Sequence, residues 1–267
     1  LNIYVDTNTI FNPITEYPKE WEDNLHMYYL YLMSQPEYFS FFCREILNLE
    51  LFPFFCVIQS ELWKRKFPML IGSRGLSKTW SLGLYCLLRA VFLPGRKIVI
   101  AGAGFRQSKL VFDVIVNIWN NAPLLRDFLG NASSNGPKFN TDNCKFTLND
   151  STIIAIPVGT GDRIRGLRAH DLISDEFASH SEEIFEHVLA GFANVSSDPI
   201  SKGKQAASQH LASVLGLDHL LDPIDETRNI GNQIILSGTA HYYFNHFFKY
   251  WKRWKAFIES QGNPEKL

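Results

Sequence analysis

The sequence lacks an excess of charge, a long apolar run and a recognisable signal sequence. Its 26 Lys and Arg residues balance 27 Asp and Glu residues, which gives a formal net charge of −1. A chain-wide basic excess, the usual footprint of nucleic-acid binding, is therefore absent, and any such contact must be local. No apolar stretch approaches the roughly 18 residues of a membrane span, and no charged-then-apolar signal follows Leu1. We expect no membrane segment, and a cytosolic protein or a piece of a longer one.

Cysteine is also scarce. The four cysteines form no CxxC pair and have no neighbouring histidine at ligand spacing, which argues against a zinc site and predicts reduced core residues; they are Cys43, Cys56, Cys86 and Cys144. With 267 residues, 46% of them hydrophobic and 20% charged, the chain has the composition of an ordinary globular protein. One large α/β domain is the simplest organisation at this length.

Short apolar runs alternate with helical patterns along the middle of the chain. Helices are predicted over 79–92 and 107–119, and strands over 68–71, 97–101, 144–148, 152–156, 172–173 and 234–236. The turn pair Asn149-Asp150 predicts a hairpin, and turn-rich stretches at 131–137 and 196–203 predict surface loops. The alternation predicts a mostly parallel sheet with helices on both faces, and ligands bind such sheets at the carboxyl ends of the strands.

The strongest motif runs from residue 72 to residue 79, between a predicted strand and a predicted helix. Its sequence is Gly72-Ser73-Arg74-Gly75-Leu76-Ser77-Lys78-Thr79. It fits the phosphate-binding pattern G-x-x-x-x-G-K-[ST] except that Ser77 replaces the second glycine. Backbone N–H groups and the helix dipole would hold phosphate oxygens, Lys78 would neutralise β/γ charge, and Thr79 would reach Mg²⁺. A Cβ at position 77 strains the backbone if φ is positive there, so we expect weakened nucleotide binding. The alternative is a Gly-rich turn that merely links strand to helix.

Two adjacent acids, Asp175 and Glu176, end the predicted strand at 172–173. Asp175 would hold Mg²⁺, and Glu176 would orient and deprotonate an attacking water. Alone, such a pair also fits a solvated strand end. Together with a phosphate loop it predicts phosphoryl transfer, which needs both parts.

Residues 161–170 contain three arginines, among them Arg165, interrupted by glycines. An arginine supplied by a neighbouring subunit stabilises transition-state charge in such reactions. Arg74, inside the phosphate loop, is the other candidate for this role, and a solvent-facing basic loop is the alternative.

The strand predicted at 234–236 ends in Ser237, Gly238 and Thr239. In nucleotide-driven machines a strand of this kind lies beside the one that bears the acids, and its hydroxyls can sense the γ-phosphate. A plain strand-to-turn connection fits the local sequence equally well.

These four segments together resemble the ATPase domain of the large terminase subunit, the DNA-packaging motor of tailed bacteriophages, over roughly residues 45–245. The likeness is carried by the stretches 72–79, 95–109, 161–177 and 235–240, in that order along the chain. The resemblance implies an additional-strand, RecA-like P-loop fold with a small helical lid. It implies Mg²⁺-dependent ATP hydrolysis that drives double-stranded DNA into a procapsid. It also implies that the chain assembles into a homo-oligomeric ring and can be a monomer in isolation. The implied partners are the portal protein and the small terminase subunit, and the implied location is the host cell cytoplasm.

The resemblance implies a role for each motif residue. Lys78 and Thr79 look like the Walker A pair, and Asp175 and Glu176 look like the Walker B carboxylate and catalytic base. Arg165 looks like the arginine that acts in trans.

Two further motifs carry the likeness. Arg74 resembles the arginine of the family's P-loops, and residues 237–239 resemble the coupling motif. The adenine-recognising glutamine normally follows a Pro-aromatic pair directly. Here the pair is Pro53-Phe54, Phe55 follows it, and the nearest glutamine is Gln59. Either Gln59 would contact the adenine or an aromatic side chain would stack on it.

We expect three parts in the chain: a helical segment over 1–50, an ATPase core over 51–240, and a helical lid over 241–267. The basic, aromatic-rich stretch 241–257 predicts a helix that packs over the nucleotide, with contact to DNA phosphates as the alternative. Only 28 residues follow Thr239, too few for the nuclease domain of full-length family members. We therefore expect an excised ATPase domain without nuclease activity. A helicase-like or repair ATPase and a non-catalytic nucleotide-binding scaffold are the competing functions.

Overall fold

The architecture comes from a computed structural model of the chain. It describes residues 38–129, 135–141, 143–148, 150–158, 168–186, 232–239 and 245–261. The predicted N-terminal segment is thus described only from residue 38, and the predicted loop at 196–203 lies outside the described residues.

The described chain combines helices with strands. The helices are α1 (Phe39–Glu45), α2 (Pro53–Lys64), α3 (Lys78–Phe92), α4 (Phe105–Asn121), α5 (Pro123–Leu129), α6 (Glu182–Ile184) and α7 (His246–Glu259). The strands are β1 (Met69–Ile71), β2 (Lys97–Gly102), β3 (Gly136–Phe139), β4 (Cys144–Leu148), β5 (Ser151–Pro157), β6 (Asp171–Ser174) and β7 (Gln233–Gly238).

The seven strands form one sheet in the order β1-β7-β6-β2-β5-β4-β3. The first five are parallel neighbours, and β4 and β3 pair antiparallel at one end. Strand β7 lies between β1, which leads into the glycine-rich loop, and β6, which leads into the two acids. This insertion is the additional strand of the predicted fold, so the α/β P-loop prediction and the position of β7 beside β6 are confirmed.

Helices cover both faces of the sheet, as predicted. Along β2 the side chains alternate between two cores: Ile98 and Ile100 pack with α1 to α4, whereas Val99 and Ala101 pack with residues from the other face. The second core includes Phe177 and Phe247 of the segments that follow β6 and β7. Because successive strand residues point to opposite faces, one apolar run supplies both cores.

The β4–β5 hairpin is confirmed, with Asp150 at φ 64 in its turn, the left-handed conformation that two-residue hairpin turns require. One loop prediction is partly wrong. Within the predicted loop at 131–137, Gly136 and Pro137 begin β3. A proline is tolerated there because, in the described chain, β3 lies at the edge of the sheet. The Gly-Pro pair predicted a loop at the position where this strand begins.

The four cysteines are free and buried, as predicted. Burial raises the pKa of the Cys56 thiol to about 11, which keeps it protonated. Within the part of the chain that the structure describes, no cluster of three or more metal-ligating His, Cys, Asp or Glu side chains occurs. The described helices also include none with the length and apolar character to cross a membrane.

Candidate nucleotide-binding site

The glycine-rich loop joins β1 to α3. Gly75 has φ +88, and Ser77, the residue before α3, has φ 53 and ψ 33. Both are left-handed conformations, which glycine adopts freely and other residues adopt at a cost. The serine that departs from the sequence pattern therefore occupies the backbone conformation for which glycine is suited.

Replacing Ser77 with glycine is expected to stabilise the fold. Relief of the left-handed conformation is worth about 1–2 kcal/mol, and the greater freedom of glycine in the unfolded chain offsets about 0.5–1 kcal/mol of this. The control is Ser73→Gly, at an exposed loop residue whose φ is not positive; it should lower stability. Urea unfolding measures both, and shifts of the same sign would contradict the strain at residue 77.

Lys78 places its ammonium group inside the loop. The side chain is buried, and Nζ donates hydrogen bonds to the carbonyl oxygens of Gly72 at 2.9 Å and Ser73 at 3.0 Å. A third contact reaches Thr239 Oγ1 at 3.3 Å. The amine therefore lies at the amino end of a 15-residue helix, where the helix dipole already favours an anion.

Thr79 and Asp175 connect the loop to the paired acids. Thr79 Oγ1 donates to Asp175 Oδ2 at 3.0 Å, across 96 residues of sequence. Asp175 is only 3% exposed, and its Oδ1 accepts from the backbone N–H of Glu176 at 3.0 Å. A hydroxyl and a carboxylate are hard oxygen ligands, and Mg²⁺ bound with a nucleotide needs only one or two of them from the protein. The pair therefore fits Mg²⁺.

Glu176 follows Asp175 at the carboxyl end of β6. Its backbone is left-handed, with φ 48 and ψ 47, and its side chain is partly exposed. A strained non-glycine residue of this kind persists only where its surroundings hold it, and such residues cluster at functional sites. The two adjacent acids thus differ in burial.

The end of β7 lies beside the loop. Gly238 is opposite Ile71 in the register of β1 and β7, and the Gly72 N–H donates to the Gly238 carbonyl at 3.2 Å. Ser237 is buried next to them. With the contact between Thr239 and Lys78, this brings the fourth predicted segment to the loop.

The other predicted residues lie elsewhere or outside the described chain. Gln59 is 2% exposed, and its Nε2 donates to the Ser81 carbonyl at 2.8 Å, which places its amide in the contact between α2 and α3. Its role toward adenine stays a prediction. Arg74 is exposed in the loop, and Arg165 lies outside the described residues.

Two histidines near the acids make structural contacts with the backbone. His170 Nδ1 accepts from the Lys97 N–H at 2.9 Å, and His180 is buried with its Nε2 3.2 Å from the Asp175 carbonyl. Sequence reasoning gave no role to Asn245 or His246, which also contact the segment after Glu176. Their sole sequence signal is a polar pair just before a helical pattern, which predicts a helix start and nothing about a partner.

Solved structures similar to this chain are phage DNA-packaging ATPases. The large terminase ATPase domain of Thermus phage P74-26 matches 84% of this chain and 92% of its own, at 11% identity and a TM-score of 0.44. The N-terminal domain of the DNA packaging ATPase from bacteriophage phi29 matches 72% and 83%, at 15% identity and 0.38. The large terminase of the thermophilic bacteriophage D6E in complex with ATP-gamma-S matches 73% and 45%, at 16% identity and 0.35. No protein-family model and no curated protein matches the sequence.

Proposed function

We propose that this chain hydrolyses ATP and that hydrolysis drives double-stranded viral DNA into a procapsid. The observation that carries the ATPase proposal is the hydrogen bond between Thr79 and Asp175. It joins the end of the phosphate loop to the end of β6, so a nucleotide in the loop would face both acids. The contact between Lys78 and Thr239 brings the end of β7 to the same loop.

The side chains have distinct roles in the proposed reaction. The Glu176 carboxylate accepts a proton from the attacking water, while a bond from the water oxygen to the γ-phosphorus forms and the bond to the ADP oxygen breaks. The Lys78 ammonium exchanges its loop carbonyls for β- and γ-phosphate oxygens. Thr79 and Asp175 would hold Mg²⁺, which offsets phosphate charge when it is bound with the nucleotide.

Two arginines are candidates for stabilising the transition state. Arg74 is exposed within the loop of the same chain, and Arg165 would come from a neighbouring subunit of a ring. If Arg165 acts in trans, turnover rises with protein concentration because the site is complete only between subunits.

The coupling to DNA rests on the resemblance of the four segments to terminase ATPase domains. We propose double-stranded DNA, the portal protein and the small terminase subunit as partners, and the host cell cytoplasm as the location. Thr239 is the proposed coupling residue, since its hydroxyl contacts Lys78 and is therefore within reach of a γ-phosphate that displaces the lysine.

Lys78→Ala is the direct test of the phosphate loop. Loss of the ammonium group should lower ATP turnover about 10²–10³-fold, the usual cost of removing a preorganised charge partner, and weaken binding of a fluorescent ATP analogue. Lys97→Ala is the matched control, because Lys97 is exposed at the amino end of β2, away from the loop. Steady-state turnover is measured at several protein concentrations; equal turnover in both variants would contradict the site.

The choice of nucleic acid tests the packaging role. Linear double-stranded DNA should stimulate ATP turnover more than single-stranded DNA of equal length. Stimulation by single strands alone would instead favour a helicase-like ATPase. Nucleotide binding without turnover at any protein concentration would favour a non-catalytic scaffold.

A further inference from the structure

The start of α7 holds the turn that follows the paired acids. Asn245 Nδ2 donates to the Ala178 carbonyl at 3.1 Å, and His246 Nε2 donates to the Phe177 carbonyl at 3.0 Å. The Asn245 Oδ1 also accepts from the Phe247 N–H at 2.9 Å and so caps the helix. One side chain thus fixes both the beginning of α7 and the turn. We call Asn245 and His246 the clasp.

Aromatic packing supports the same contact. Phe177, the residue after Glu176, is fully buried, and three rings of α7 surround it with centroid distances of 4.7 to 5.5 Å; they belong to His246, Phe247 and Tyr250. Buried aromatic groups resist displacement because they carry large apolar areas. The clasp and this packing leave the backbone after Glu176 little freedom relative to α7.

A third side chain holds the turn from its other end. His180 Nε2 donates to the carbonyl of Asp175, the residue before Glu176. Burial lowers the pKa of His180 to about 4 and lowers that of His246 as well, so both rings are neutral near pH 7. Carbonyl groups on both sides of Glu176 are therefore held by neutral donors.

Helix α7 also contacts the segment after the acids through an ion pair on the protein surface. Lys249 pairs with Glu182 at 2.9 Å, with the lysine side chain 54% exposed. Exposed ion pairs contribute little to stability, so the more buried clasp dominates the attachment. Phe247 also lies 3.1 Å from the position that a Cβ on Gly238 would occupy, which brings α7 against the end of β7 too.

We propose that Asn245 and His246 are positioning residues that hold the Glu176 carboxylate in its reactive place. Glu176 keeps a left-handed backbone because the clasp, the Phe177 packing and His180 constrain its neighbours. A displacement of α7 moves the turn and with it the carboxylate, so α7 sets the rate of hydrolysis. This inference rests on the proposed function, because it requires Glu176 to be the base.

The test compares turnover with nucleotide affinity. Asn245→Asp keeps the helix cap but replaces the donor to Ala178 with a carboxylate oxygen, and His246→Ala removes the other donor. Each should lower kcat about ten-fold or more, the equivalent of one lost hydrogen bond, while KM and the affinity for ATPγS stay within about twofold. His246→Gln retains an N–H at the position of Nε2 and should restore most of the rate. Lys249→Ala, on the same helix, is the control and should leave kcat unchanged.

Hydrogen exchange provides a readout that needs no turnover. Backbone amides of residues 176–180 should exchange faster in Asn245→Asp and His246→Ala than in the parent chain, and not in Lys249→Ala. Three results would overturn the inference while leaving the ATPase proposal intact. They are a parental kcat in both clasp variants, a loss of ATPγS affinity as large as the loss of kcat, and failure of His246→Gln to restore the rate. Absence of ATP turnover in the parent chain would overturn the proposed function, and the catalytic role of the clasp with it.

Discussion

Glu176→Gln should bind ATP as tightly as the parent chain and hydrolyse it about 10²–10⁴-fold more slowly, the range that a general base contributes. Glutamine has the same shape and keeps the backbone contacts of the turn, but its amide does not accept the proton of the attacking water. Asp175, which fits Mg²⁺ with Thr79, is unchanged in this variant. Equilibrium binding of a fluorescent ATP analogue and single-turnover hydrolysis together separate binding from chemistry.

Glu183→Gln is the matched control, because Glu183 is an exposed acid seven residues further along the chain. It should hydrolyse ATP at the parental rate. If Glu176→Gln also turns over at that rate, another group accepts the proton, and the role of the left-handed residue after β6 is structural.

Asp171→Asn should cost about 3–5 kcal/mol of unfolding free energy, the penalty for breaking a buried ion pair. Arg89 donates to both carboxylate oxygens of Asp171, at 2.9 and 3.3 Å, and the two side chains are 1% and 0% exposed. Arg96 lies 3.5 Å from the same carboxylate. Removing the negative charge leaves two arginines without their shared anion in the interior.

Urea unfolding of Asp171→Asn tests this cost. Glu61→Gln is the control, since it breaks the exposed Arg65–Glu61 pair and should change stability by less than about 1 kcal/mol. Asp171 begins β6 and Asp175 follows its end, so nucleotide affinity of the folded variant should stay at the parental value. A loss no greater than that of the control would mean that the buried arginines are neutralised elsewhere.

Local patterns in the sequence predicted the elements that position the site. The apolar run of β2 and the turn at Asp150 are short-range signals, and the glycine-rich loop predicted the join of β1 to α3. The order of the motifs, through the family resemblance, placed β7 beside β6. Neighbours in sequence carry the first signals, whereas the position of β7 came from motifs spread along the chain.

Contacts between distant segments were not predictable in this way. His246 and Phe177 are 69 residues apart, and Arg89 and Asp171 are 82 apart; no spacing rule connects either pair. A lone arginine in the apolar stretch of α3 was a signal for a buried ion pair, but several acids in the chain were equally available as its partner. The sequence predicted strain at Ser77 only if its φ is positive, because a sequence does not fix φ.

Strand β3 has a consequence for handling the protein in solution. In the described chain it is the outermost strand beyond β4, and it carries Pro137, which lacks an N–H, and the exposed Lys138. Proline and lysine on a border strand discourage another molecule from adding its own strand there, which is a common route to insoluble association. Pro137 and Lys138 therefore disfavour association through this border in concentrated samples, the samples in which turnover that depends on neighbouring subunits has to be measured.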